Sequence, residues 1–458
     1  MGWLSRWFGR SPSPAPAPAV EPGHPAPPAA RDSPKAPPPS VPGVALPAST
    51  AQGAAPAGST AQATIPVARH LLIDRNGRLA GFEFPLPDVM RKRLAQGAGD
   101  VVIGAHARAF LAALRPVADS GRVAMASLPG ALLQRDVVAL EVPPKAWLVV
   151  PSEDLTEPPP AWWSPLKERS VNLGTEQVPS RRAAFVRIDC STLDRDAAIA
   201  AVMACREAAP KARVVASQLA DVDDVEAVLR AGADLASGRH EHMRQVPQGA
   251  TLSPAMAQVS RLMNQVLHDA DLTVIAAGIR EDVGLSYELL RFANSPMMGL
   301  QRQVDAVDQA VLLLGRDPLF RWLCARLLAA NKGRASARAL QEIALARASL
   351  FERLAPAAGA PPATLFTLGL LSLVDVMVPM PMAEAVAPLR LPEDVRAALV
   401  DRQGPWAPLL ELAQALERGD TATAQPLAAA FGGLDEVAAA AEQAWAYAGE
   451  AAAALWSA

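Results

Sequence analysis

Among the residues able to do chemistry, the pair His268-Asp269 stands out, because an imidazole beside a carboxylate can share a divalent cation. The pair falls at the end of a helical pattern, just before Asp271 in capping position. A histidine there interacts favourably with the helix dipole, so the pair reads as a helix C-terminus and loop. His240 and His242 have i, i+2 spacing but no neighbouring cysteine or third histidine, and they read as a solvated loop. The three cysteines, Cys190, Cys205 and Cys324, are odd in number and lack C-x-x-C spacing. That pattern excludes a disulfide framework and a cysteine zinc site, and suits a reducing cytoplasm. No G-x-S-x-G elbow, Walker loop or G-x-G-x-x-G loop occurs. These patterns therefore yield no catalytic residue, no metal ligand set and no cofactor.

The elements that would position any site fall into distinct stretches. The chain of 458 residues is 51% hydrophobic with a net charge of −3, which fits two or three cored domains. It lacks the basic excess that a nucleic-acid binder needs. The longest apolar run, Leu365 to Val378, contains Asp375 and is followed by Pro379 and Pro381, as in a buried helix rather than a membrane span. At the start, Trp3, Leu4, Trp7 and Phe8 share one helical face beside Arg6 and Arg10. That face suits a peripheral membrane contact through Trp3, Trp7 and Phe8, or a partner's groove; no signal-peptide core follows it. Residues 11–60 hold 15 of the 43 prolines and no aromatic residue, so they are expected to form a disordered tether.

From Ile65 strands and helices alternate. RHLLIDRNGRLAGFEF reads as a hairpin turning at Asn76-Gly77. Further strands are expected at Val123–Ser127, Val137–Val142, Ala146–Val150, Ala184–Ile188 and Arg213–Ser217, with helices at Val101–Leu114, Arg195–Ala208 and Val222–Ala231. This alternation predicts an α/β domain with a largely parallel, barrel-type sheet. Beyond a short link at Gln245–Gly249, Ser253-Pro254 opens an all-helical part, and Asp317-Pro318 and Ser336 open later helices. Its centre is Ile279 to Gly315. Leu285, Leu289 and Phe292 share a helical face there, Asn294-Ser295-Pro296 ends the helix, and Val307, Ala310, Val311 and Leu314 line the next one. The alanine-rich stretch Leu434–Ala458, with Trp445 and Trp456, is expected to dock on the body.

The central stretch, IREDVGLSYELLRFANSPMMGLQRQVDAVDQAVLLLG, resembles the HDOD domain, a bacterial signalling module related to HD phosphohydrolases. The resemblance runs from about Thr251 to Asp420. R-x-x-L-I-D-R-N-G-R-L-A-G-F-E, FVRID and VVASQLADVDDVEAVLRAGADLASG are in turn similar to segments of EAL domains, barrel enzymes that hydrolyse cyclic di-GMP. Together they look like the EAL–HDOD two-domain family. The expected divisions are 1–64 (amphipathic N-terminus and tether), 65–244 (EAL-like), 245–425 (HDOD) and 426–458 (helical extension). The region from Ile65 is short for a complete eight-stranded barrel, which takes about 250 residues.

EAL chemistry implies carboxylates around two divalent metals. Glu83 aligns with the glutamate of E-A-L, although the tripeptide reads Glu83-Phe84-Pro85, and Asp189 with the aspartate of K-I-D, whose basic position is Arg187. Pro143 stands where a strand-end glutamate is expected after Leu140-Glu141-Val142. The D-D-F-G-T-G loop has no match, and Ser217, Ala220 and Ser237 replace further polar ligands. On the HD side, Ser372-Leu373 replaces the His-Asp pair. The resemblance with these departures implies a cytoplasmic, non-catalytic scaffold linked to cyclic di-GMP signalling, with unidentified signalling proteins as partners. A cyclic dinucleotide is a further candidate partner; a residual phosphodiesterase and a nucleotide-binding sensor are the alternatives. Asn294, Ser295, Met297 and Met298 form the candidate partner-binding turn, since adjacent methionines suit adaptable contacts.

Overall fold

The structure, a computed structural model, describes residues 68–456 apart from 88–89, 93–99, 134–140, 153–159, 178–179, 181–182, 241–252, 296–302 and 330–334. The N-terminal amphipathic segment, the tether, His242, Met297 and Met298 lie outside the described residues.

Eight strands close into a barrel in sequence order: β1 His70–Asp74, β2 Leu79–Phe84, β3 Val123–Ser127, β4 Trp147–Val150, β5 Asn172–Glu176, β6 Phe185–Asp189, β7 Arg213–Leu219 and β8 Leu235–Gly238. β1 runs antiparallel to both neighbours, and every other pair is parallel. The hairpin expected at Asn76-Gly77 forms. Asp74 Oδ1 accepts the backbone N–H of Asn76 at 2.8 Å and of Arg78 at 2.9 Å, and Gly77 takes a positive φ of 70° that glycine adopts without a steric cost.

The barrel is complete despite its short sequence. Helices α1 (Asp100–Asp119), α2 (Arg195–Ala208) and α3 (Val222–Ala231) are full crossovers, whereas β4 reaches β5 past the short helix Trp163–Glu168. Economy in the crossovers, rather than loss of strands, accounts for the length. Aspartates cap two of these helices: Asp194 accepts from Ala197 N at 2.9 Å and Asp221 from Asp224 N at 2.8 Å.

One expected strand, Val137–Val142, is corrected over its described end, residues 141–142. The strand that pairs with β3 is Trp147–Val150, with Met125 opposite Trp147. Glu141 and Val142 lie outside the strands, because Pro143-Pro144 and the left-handed Lys145 (φ 63°) make a turn before β4. β5 was not legible in the sequence; Gly174 and its polar ends hide it.

The helical part comprises α4 (Pro254–Leu267), α5 (Leu272–Arg280), α6 (Val283–Ala293), α7 (Val307–Leu314), α8 (Arg316–Ala329), α9 (Ala337–Ala358), α10 (Pro362–Leu371), α11 (Glu393–Val400), α12 (Ala407–Arg418), α13 (Thr421–Ala428) and α14 (Leu434–Trp456). The apolar faces read from sequence on α6 and α7 are buried. α9 is buried along most of its length and packs tightly on α10, where a side chain at Gly369 would sit 2.5 Å from the backbone nitrogen of Ala348.

Barrel and helices belong to one compact unit. The β1–β2 hairpin has no crossover helix of its own, yet its outward residues Leu71, Ile73, Phe82 and Phe84 are buried. The helical part supplies the missing cover. Trp445 of α14 meets Phe82 edge-on at 5.0 Å, Arg69 pairs with Glu442, and Gly77 O accepts from Ala339 N at 3.0 Å. Ser336, expected to cap α9, instead donates its hydroxyl to Glu226 of α3 at 2.7 Å.

Candidate functional site

Side chains alternate across each strand, so every second residue faces the barrel axis. Leu72, Met125, Trp147, Val149, Phe185, Val215 and Leu235 fill the interior. Two positions further toward the C-terminal strand ends, the same alternation brings in Arg187, Ser217 and Ser237. On β5 the inward position before Glu176 is Gly174, whose bare backbone admits the Phe185 ring; a Cβ there would lie 2.5 Å from it. The apolar interior is thus topped by a polar layer.

Arg187 organises that layer. Its Nε donates to Glu83 Oε1 at 2.7 Å, its Nη1 donates to Glu176 Oε1 at 2.5 Å, and Asp189 Oδ2 lies 3.6 Å from Nη1. Ser237 Oγ donates to the other oxygen of Glu83 at 2.9 Å. Glu83 and Arg187 side chains are each 5% exposed, against 46% for Glu176 and 29% for Asp189. Burial disfavours the guanidinium charge, but Glu83 outweighs it with help from Glu176 and Asp189, and the pKa is raised. Burial likewise opposes the Asp189 charge, yet the Ser191 N–H at 2.9 Å and Arg187 hold its carboxyl below the usual range. Beside this layer opens a polar cleft of about 630 Å³, lined by Pro151, Ser152, Glu176, Gln177, Asp189, Ser191 and Thr192.

The two sequence candidates, Glu83 and Asp189, are therefore brought together, but around an arginine. Glu176 was missed with its strand; its signal would have been the inward period-two position after Gly174. The end of β4 offers Pro151 and Ser152, and position 153 lies outside the described residues. Cys190 adjoins the layer, but burial and Asp189 push its thiol up to about 11, so it is no nucleophile at neutral pH.

EAL chemistry calls for divalent metals here, and the donors among the described residues do not fit them. Both oxygens of Glu83 are committed, one to a guanidinium and one to a hydroxyl, and the same guanidinium is bonded to Glu176. Among the described residues no group of three or more His, Cys, Asp or Glu side chains is arranged to hold a metal.

A second buried polar cluster lies in the helical part. Arg347 of α9 grips Glu417 of α12 with two bonds of 2.7 and 2.6 Å and donates to Ser372 Oγ at 3.2 Å. Ser372 Oγ donates in turn to Gly369 O at 2.7 Å. His240, just past β8, brings Nε2 to 3.1 Å from Glu417 Oε2. Burial opposes the Glu417 charge, but Arg347 and His240 prevail and hold the carboxyl far below the usual range. The solvated-loop reading of His240 is corrected: the residue is buried, with Glu417 of α12 and Arg347 of α9 at its ring. His268 caps α4, its Nδ1 lying 2.8 Å from Asn264 O, and Asp269 takes a left-handed φ of 54°.

A family model described as the HDOD domain matches residues 250–388. The chain carries an HDOD domain behind an EAL-like barrel. Among curated proteins it is 30% identical over 183 residues to the uncharacterized protein YuxH of Bacillus subtilis (strain 168), covering 39% of this chain and 45% of that one. It is 25% identical over 239 residues to the cyclic di-GMP phosphodiesterase CdgJ of Vibrio cholerae serotype O1, covering 52% of this chain and 55% of that one. The chain thus spans about half the length of the curated relatives it matches. Among solved structures, the FimX EAL domain of Xanthomonas citri in complex with c-diGMP aligns at a TM-score of 0.30 and 13% identity, covering 38% of this chain and 84% of that one.

Within the HDOD domain, Asn294 closes the loop after α6. Its Nδ2 donates to Leu290 O at 2.8 Å and Val304 O at 2.6 Å, and its Oδ1 accepts from Val304 N at 2.7 Å. Its amide is used internally, while Ser295 is half-buried at the edge of the described residues. No described helix is long and apolar enough to cross a membrane.

Proposed function

We propose that this protein is a non-catalytic signalling scaffold in which the EAL-like barrel has become structural and the HDOD domain makes protein contacts, within cyclic di-GMP signalling. The observation that carries the reading is Arg187. A buried guanidinium satisfying Glu83 and Glu176 does electrostatically what a bound cation would do, without activating water. The Arg347–Glu417–Ser372 cluster, at the position of the lost His-Asp pair, supports the same reading for the HDOD domain. Exposed apolar residues on the helices around Asn294 support protein contacts: Val283 and Tyr287, one turn apart on α6, are 83% and 63% exposed, and Leu312 on α7 is 63% exposed. Asn294 then serves to fix that surface, with Ser295, Met297 and Met298 as candidate contact residues.

The test is hydrolysis of cyclic di-GMP by the full chain with magnesium or manganese. No linear dinucleotide above the no-protein background is expected. Turnover that is lost in Glu83→Gln would establish the phosphodiesterase alternative instead.

A further inference from the structure

We infer that the outer face of α6 is where two copies of this chain meet, antiparallel about a twofold axis level with Ser286. The inference rests on the reading of the HDOD domain as a protein-contact module, and it names the partner.

The middle of this face is apolar, where the outer side of a surface helix is ordinarily polar. Val283 and Tyr287 stand one turn apart and are mostly exposed. Between them Gly284 is exposed too, and a Cβ there would meet only the Asp282 carboxylate, at 3.1 Å. A glycine inside a helix costs about 0.5–1 kcal/mol relative to alanine, and here the bare backbone leaves room for a second backbone to approach. Tyr287 is held from the next turn, where the guanidinium carbon of Arg291 lies 5.5 Å from the centre of its ring. Tyrosine and arginine are among the side chains that most often anchor a protein interface.

The charges at the two ends select the occupant. Before α6, Glu281 is exposed, and Asp282 accepts the Leu285 N–H at 3.0 Å; the adjacent Arg280 is already paired with Asp308. At the other end Glu288 is already paired with Arg326 at 2.5 Å, whereas Arg291 has no carboxylate partner among the described residues. The face is therefore acidic at one end, apolar in the middle and basic at the other, which makes it complementary to itself turned end for end. Glu281 lies five positions before Ser286 and Arg291 five positions after it. An antiparallel second copy thus brings Glu281 of each protomer level with Arg291 of its partner, at two places about 15 Å apart along the helices. Such self-complementary contact is what a twofold dimer requires. One helix pair buries less than the ~1,600 Å² of a standard interface, so a Kd on the order of micromolar is expected.

The experiment is sedimentation velocity of the full chain over about 1–100 μM, which should show a reversible monomer–dimer equilibrium that weakens as salt is added. Tyr287→Ser should weaken the dimer about tenfold or more and leave the melting temperature unchanged, because the ring is exposed in the monomer. Glu281→Arg makes the face basic at both ends, and Arg291→Glu makes it acidic at both ends. Neither variant should dimerise alone. Their equimolar mixture should dimerise as wild type does, since both contacts then join opposite charges, and a misfolded variant could not give that recovery. A wild-type chain that stays monomeric over the range would overturn the inference. So would a dimer indifferent to these substitutions, or a mixture no more associated than its two components. Cyclic di-GMP turnover would instead defeat the scaffold reading, so the two failures are distinguishable.

Discussion

Replacing Arg187 by methionine tests the centre of the barrel. The substitution keeps side-chain length and removes the only described cation bonded to Glu83, which is 5% exposed. Breaking a buried ion pair by deleting one partner costs about 3–5 kcal/mol, because the remaining charge stays desolvated. Glu176 is nearly half exposed and adds no more than about 1 kcal/mol to that loss. If the barrel unfolds as a unit, the melting temperature should fall by roughly 6–20 °C. Glu83→Gln should cost less, because Ser237 can still donate to the amide oxygen and Arg187 keeps Glu176. In the Arg187→Met/Glu83→Gln double variant neither charge is stranded, so stability should recover by about 2 kcal/mol or more relative to Arg187→Met. Urea unfolding followed by circular dichroism, run as a double-mutant cycle, measures the coupling. A variant within about 1 kcal/mol of wild type, or a double variant no better than Arg187→Met, would refute the view of Arg187 as the internal counter-ion.

Other consequences can be measured on the same preparations. Glu417→Gln should cost about 3–5 kcal/mol at neutral pH. Because the Glu417 pKa is depressed in the fold, that stability is present above the ordinary carboxylate value of 4.5 and is lost as pH falls, so wild type and variant should converge in acid. Glu342, buried beside Arg122 at 2.5 Å, titrates in the opposite sense. Burial raises its pKa despite Arg122, so its contribution declines as pH rises, and Glu342→Gln should gain on wild type as pH rises above the ordinary carboxylate value of 4.5 in pH-dependent melts. Gly369→Ala must part α10 from α9 and should destabilise by about 1–3 kcal/mol; an unchanged denaturation midpoint would show that the helix pair can yield. Elemental analysis of the purified protein should find no stoichiometric divalent metal, and one or two ions per chain would contradict the role given to Arg187.

Local chemistry was legible wherever a few consecutive residues decide the outcome. The Asn76-Gly77 turn, the caps Ser253 and Asp271, and the apolar faces of α6 and α7 follow from turn preference, donor geometry and periodicity, and all are present in the fold. Glu83 and Asp189 were singled out by the EAL resemblance, and each sits in a short strand of the barrel. β5 was not, because a five-residue strand with polar ends and a central glycine has no periodic signature until its neighbours supply the ladder. Glu176 was lost from view with it.

Tertiary structure alone decided which charges meet. Arg187 and Glu83 stand 104 positions apart, and Arg347 lies 70 from Glu417 and 107 from His240. No local pattern encodes such pairings, because they arise from barrel closure and from α9 and α12 converging on the strand ends. The sequence by itself determined which residues stand at the positions that the EAL and HD resemblances give to metal ligands. Only the fold could determine that a buried arginine stands among what remains at each site, since that depends on where the inward faces of distant elements converge.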